Sequence, residues 1–113
     1  MANLSGKRLA KEQVRKLLTR ILQNGGDLRF TDYCEKRTLE RGITTQTIIN
    51  VLDRGIVRDA EEYLHAGDVQ WRYRVETKRY RVVVTFEIEN EAIVVNAIDF
   101  TPHLAGGIKK KGD

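Results

Sequence analysis

Apolar residues recur along this chain with two periods, and the change from one to the other falls at Val69. Before it the spacing is helical. Val14, Leu17, Leu18, Ile21 and Leu22 form one stripe, which predicts an amphipathic helix over 7–23, stopped by Asn24, Gly25 and Gly26. Leu28 to Phe30 reads as a short extended piece. Phe30 to Ile56 then predicts two short helices joined by a glycine. Asp32 is placed to cap the first, with Glu35 three residues on to complete a capping box. Gly42 suits the left-handed residue that closes it, Thr44 caps the second helix, and Ile43 with Ile48 forms a hydrophobic staple across that start. Gly55 closes the second helix. Its buried positions are Ile48, Ile49 and Leu52, with Val51 at the margin. Ile56–Arg58 is a candidate short strand. The polar stretch from Asp59 to Asp68 reads as a surface loop with Gly67-Asp68 as turn chemistry.

From Val69 the period is two. Trp71, Tyr73 and Val75 alternate with Arg72 and Arg74. Tyr80, Val82, Val84, Phe86 and Ile88 then alternate with Arg79, Arg81, Val83, Thr85 and Glu87. Ala92 to Phe100 is rich in Ile and Val. Three consecutive strands, near 70–76, 79–88 and 92–99, imply an antiparallel meander, and only the helices can cover its apolar face. The expected fold class is therefore α+β, with two or three N-terminal helices packed on a small antiparallel β-meander. The expected organisation is a flexible stretch over 1–6, one domain over 7–101, and a disordered basic tail over 102–113.

Composition changes this picture little. Over 113 residues, 41% are hydrophobic and 32% charged, which is ordinary for a globular protein. No apolar run approaches the length of a membrane span, and the basic N-terminus has no apolar block behind it, unlike a secretory signal. One cysteine, Cys34, excludes an internal disulfide and suits a reducing cytoplasm. Twenty basic against 16 acidic residues leave a formal charge of +4, which permits an anionic partner without requiring one.

The motifs exclude several chemistries. The chain has no glycine-rich phosphate loop, nucleophile elbow or cysteine–histidine cluster. Its two histidines, His65 and His103, fall in a polar loop and the tail, so no metal and no cofactor is expected. Two arrays remain. Tyr33, Arg37 and Arg41 stand at i, i+4 and i+8 on one helix face. Trp71 to Arg81 carries Arg72, Arg74, Lys78, Arg79 and Arg81 against Glu76, with Trp71, Tyr73 and Tyr80 interleaved. Arginines projecting at period two can hold backbone phosphates while aromatic rings stack on bases. Both arrays also have a purely structural reading, in which the aromatics belong to the core and the arginines pair with nearby acids.

The stretch FTDYCEKRTLERGITTQTIINVLDRG resembles the family of small bacterial and archaeal proteins called domain of unknown function 4258, as do the later WRYRVE and VVVTFEIENEAIVVNAI. The likeness covers roughly Leu9 to Asp99. That family is grouped with the RelE/ParE-like toxin fold, in which helices pack on a small antiparallel sheet. Relatives in that fold include ribosome-dependent messenger-RNA nucleases and gyrase poisons, usually paired with an antitoxin. The resemblance matches Arg37 and Arg41 to the family's helix arginines and Gly42 to its glycine. Tyr33 stands where the family usually has histidine. Tyrosine, with an ordinary pKa near about 10, is a poor proton carrier at neutral pH.

Two readings are thus open. In the first, a metal-independent toxin-like RNase uses Tyr33, Arg37 and Arg41 as its catalytic set and Arg72, Arg74, Arg79 and Arg81 as its nucleic-acid-binding set. RNA and a cognate antitoxin would be its partners. In the second, the same fold is a non-catalytic nucleic-acid-binding or protein-interaction module. Neither reading involves a membrane, and the sequence assigns no oligomeric state.

Overall fold

The computed structural model describes residues 3–101. Its elements in chain order are α1 (Lys11–Gln23), β1 (Asp27–Phe30), α2 (Asp32–Arg41), α3 (Thr45–Arg54), β2 (Ile56–Val57), β3 (Glu61–His65), β4 (Asp68–Glu76), β5 (Tyr80–Thr85) and β6 (Glu91–Asp99). The class is α+β, as the two hydrophobic periods imply. The sheet runs β1-β6-β5-β4-β2, with β3 also paired to β4. The β4-β5-β6 meander is antiparallel, whereas β1 lies parallel to β6. The sheet is therefore mixed and larger than the expected three-stranded meander.

The helix stripes account for the main core. Val14, Leu17, Leu18 and Ile21 of α1 and Ile48, Val51 and Leu52 of α3 are buried against Tyr73 and Val75 of β4, Val82 and Val84 of β5, and Ala92 and Val94 of β6. Val51 is buried at 2% exposure, not marginal, and Ile49 is only half-buried. Helix α1 starts four residues later than its apolar spacing suggests, because the preceding backbone is used elsewhere. Leu9 N donates to the buried Tyr73 hydroxyl at 2.8 Å, and that hydroxyl donates to Lys7 O at 3.3 Å. Upstream, Leu4 N donates to Glu87 O at 2.8 Å and Asn3 bridges to Ile88. From Asn3 onward the N-terminal segment is thus hydrogen-bonded to the end of the sheet. The expected tail over 102–113 lies outside the described residues.

The caps follow local rules with one displacement. The N-cap of α2 is Thr31, whose Oγ1 accepts from Cys34 N at 3.1 Å, so Asp32 is already the first helical residue. Thr44 caps α3 by accepting from Thr47 N at 3.1 Å. Gly42 closes α2 with φ 69°, the left-handed conformation glycine adopts without a Cβ penalty. Gly55 closes α3 for another reason. Its φ is −73°, open to any residue, but a Cβ there would stand 2.6 Å from Val51 O and 2.8 Å from Val75 Cγ1. The carbonyls at this helix end are satisfied by Arg15, which donates to Leu52 O at 2.7 Å and Gly55 O at 2.6 Å. This α1 arginine is therefore a C-cap for α3, where its charge also opposes the negative end of the helix dipole.

Two strand expectations are revised. The segment read as a surface loop over 59–68 contains β3, which forms a hairpin with β4, pairing Tyr63 with Gln70 and Glu61 with Arg72. Ala66 and Gly67 turn it with φ 51° and 85°, the positive pair that a two-residue hairpin turn of right-handed twist requires. Strand β5 ends at Thr85 instead of Ile88. Phe86 turns into the core at 4% exposure, and Glu87 O and Ile88 pair with the N-terminal segment. A register shift between Val83 and Val84, which pair with Asn96 and Val94, leaves Val95 as a bulge in β6.

Candidate nucleic-acid interface

Alternation along β4 and β5 turns Tyr73, Val75, Val82 and Val84 toward α1 and α3. It turns Arg72, Arg74, Glu76, Arg81 and Val83 to the opposite face. Glu76 is paired with Arg81, and Arg74 with Val83. Tyr63 and Gln70 extend this face along the β3–β4 hairpin. On its other side the face is bounded by α2. Where β1 ends, Thr31 N still donates to Val94 O at 3.1 Å, and α2 then runs beside the open second half of β6. The helix thereby presents Tyr33, Arg37 and Arg41 toward the sheet.

A groove of about 440 Å³ lies between them, lined by Thr31, Tyr33, Tyr63, Arg72, Val95 and Asn96. Its two tyrosines are well exposed, Tyr33 at 57% and Tyr63 at 40%, and each carries an arginine on its ring. The Arg72 guanidinium lies 3.6 Å from the Tyr63 ring centre and that of Arg37 lies 5.9 Å from the Tyr33 centre, within cation–π reach. Arg72 is oriented further by Nε donating to Gln70 Oε1 at 2.9 Å. Such stacking removes rotamer freedom in advance, so a base meeting these side chains finds them already ordered.

The sequence-selected residues do not all belong to this surface. Arg41 is committed to the fold, its NH1 donating to Ala97 O at 2.6 Å. Arg37 makes an exposed pair with Glu40 at 3.4 Å, while its Nε is buried without a hydrogen-bond partner. Arg79 leaves the array. It forms a two-pronged pair with Asp99 at 3.3 and 3.2 Å and lies over the Tyr80 ring. Asp99 and Tyr80 are register partners, so both share the face toward the helices. Arg81 donates from Nε to Glu76 Oε2 at 2.6 Å, and Arg58 Nε approaches Glu76 Oε1 at 3.0 Å. Arg74 makes no hydrogen bond or ion pair among the described residues, and its Nε is buried. Tyr33 and Arg72 therefore line the groove, with Arg37 on the Tyr33 ring; Arg74 and Arg81 share the sheet face with Arg72, and Arg41 and Arg79 are each engaged by an acceptor of the fold.

Tyr63, Gln70, Arg58 and Asn96 were not selected from the sequence. The turn chemistry at Ala66-Gly67, directly before the alternating run from Val69, is the signal for the hairpin that carries the first two. Arg58 and Asn96 have no such signal, because their partners lie far away in the chain.

Titration shifts support structural roles near this face. Burial acts to raise the Glu76 pKa, but hydrogen bonds from Arg81 and Arg58 outweigh it and hold the carboxyl below its ordinary value. Asp99 is likewise lowered, the bonds from Arg79 and Thr101 overcoming burial. Burial, reinforced by Glu35 and opposed by Arg41, pushes the Cys34 thiol up to about 11, so it is a core residue and a poor nucleophile. No three His, Cys, Asp or Glu side chains among the described residues group to hold a metal ion. No described helix is long and apolar enough to cross a membrane.

The fold and this face define an α+β protein with a basic, tyrosine-flanked sheet surface. Comparison with protein-family models, curated proteins and solved structures gives no match.

Proposed function

We propose that this protein is a non-catalytic module that binds single-stranded RNA across the sheet face between α2 and the β3–β4 hairpin. The observation that carries this reading is the groove whose exposed tyrosines, Tyr33 and Tyr63, face the same floor with arginines already stacked on them. Unpaired bases have free faces to stack on tyrosine and guanidinium planes, whereas bases inside a duplex do not. Arg72, Arg74 and Arg81 supply positive charge along the phosphate path. The nuclease reading has less support. None of the described residues lining the groove is a carboxylate or a histidine, the usual carriers of a transferred proton. Arg41 is engaged with a backbone carbonyl.

The test is fluorescence anisotropy with a short labelled RNA at several salt concentrations. Tyr63→Ala and Tyr33→Ala are each expected to weaken binding by about 1–3 kcal/mol, the usual contribution of one stacked base. Arg74→Gln should weaken binding of all sequences alike and lower the salt slope by about 0.7. Absence of binding at low salt refutes the reading. RNA cleavage by the wild type that is lost in Tyr33→Phe replaces it with the nuclease reading.

A further inference from the structure

A second depression lies at the rim of the same face, beside the edge strand β2. It measures about 320 Å³ and its lining includes Lys11, Arg58, Asp59, Arg74, Glu76 and Arg81. Among the described residues four cations therefore meet two carboxylates, and both carboxylates are already paired. Asp59 contacts Lys11 at 3.3 Å. Glu76 is gripped through one oxygen by Arg58 and through the other by Arg81. Each of these arginines uses Nε for that bond, so the terminal nitrogens make no hydrogen bond to protein among the described residues. Glu76 thus acts as an internal post that holds two guanidiniums side by side.

Arg74 is the third guanidinium, two residues before Glu76 on the same strand face. Its Nε is buried and has no hydrogen-bond partner among the described residues. A buried donor left unbonded is costly, and a charged one more so. An anion in the depression meets Arg74 and the terminal nitrogens of Arg58 and Arg81 in the same place. Planar guanidiniums match phosphate oxygens in paired hydrogen bonds, which a single ammonium cannot do.

We infer that this depression is a phosphate subsite, and that it takes the terminal phosphomonoester of the strand bound in the groove; the occupant rests on the RNA reading above. The excess of two positive charges suits a monoester, which carries about −1.5 to −2 at neutral pH, better than a singly charged diester. Position agrees. Arg72 lies in the tyrosine-lined groove and Arg74 follows at the next same-face position, about 6–7 Å along the strand. Two residues beyond Arg74 the strand ends at Glu76, with edge strand β2 beside it, so a chain tracking the arginines along β4 terminates here.

The test has two arms. In the first, inorganic phosphate is titrated into labelled protein and the arginine side-chain NMR signals are followed. Shifts at Arg74 and Arg58 are expected in the wild type and their loss in Arg74→Gln. Arg58→Gln, an exposed change that leaves Arg81 on Glu76, should weaken the phosphate response while the fold is kept. In the second arm, RNAs bearing a 5′-phosphate, a 3′-phosphate or only hydroxyl ends are compared. One phosphorylated end is expected to bind about tenfold tighter, the scale of one charge-assisted hydrogen bond. That advantage should disappear in Arg74→Gln and persist in Tyr63→Ala. Equal affinity for all three RNAs, with no response to inorganic phosphate, overturns the subsite and leaves RNA binding in the groove intact. A phosphate response without RNA binding upholds the anion site and overturns the RNA reading that supplies its occupant.

Discussion

Replacing Arg41 separates a structural arginine from a catalytic one. Its guanidinium donates to Ala97 O at 2.6 Å, with a longer contact to Asn96 Oδ1 at 3.4 Å. This carbonyl belongs to the half of β6 that β1 does not reach, so no neighbouring strand supplies a donor on that side. In Arg41→Ala the carbonyl loses its charged donor. A hydrogen bond to a charged group contributes about 1.5–3 kcal/mol, and an orphaned buried acceptor costs about 1–3 kcal/mol. Arg41 is half-exposed, so water reaches part of the site and the lower range applies, about 1–2 kcal/mol. For a domain of this size that corresponds to a fall of about 4–8 °C in Tm. Urea unfolding should show a lower midpoint with unchanged slope. Arg41→Lys, which keeps one donor, should recover part of the loss. RNA affinity below the melting range should match the wild type. An Arg41→Ala protein with wild-type stability that no longer binds or cleaves RNA would refute this reasoning and return Arg41 to the functional set.

Gly55→Ala should destabilise by about 1–3 kcal/mol, measured by the same unfolding, because two of the three atoms its Cβ would crowd are backbone oxygens that cannot swing away; a neutral result means that the α3–β4 junction gives more readily than its geometry implies. Glu76 should make stability depend on pH. Its folded pKa lies below the ordinary value of 4.5, so the unfolded chain binds the proton more tightly. The contribution is therefore present above 4.5 and disappears as pH falls through the folded value. The stability difference between wild type and Glu76→Gln should shrink across that acidic window, and a difference that is constant with pH would show that the carboxylate's charge is not what holds Arg58 and Arg81.

What the chain determined alone is what depends on neighbours a few residues away. The helical period of Val14 to Leu22, the alternation from Trp71 onward, the left-handed turn at Gly42 and the cap at Thr44 involve partners within a turn or a strand pair, so the α+β class and the meander are legible. Thr31 in place of Asp32 as the cap is an error of one residue between two good capping side chains. The sheet's extension by parallel β1, the site of α2 beside β6 and the fate of each arginine were decided by tertiary structure. Arg41 and Ala97 are 56 residues apart, Arg79 and Asp99 are 20, and Arg58 and Glu76 are 18. At such separations an arginine's spacing along its own element says which way it points and nothing about whether a carbonyl or carboxylate awaits it. Folding used Arg41, Arg79 and Arg15 to satisfy buried or helix-end acceptors. It left Arg72 and Arg37 on tyrosine rings and Arg74 without a hydrogen bond or ion pair among the described residues, because only the assembled sheet brings β3 and α2 to opposite sides of one face.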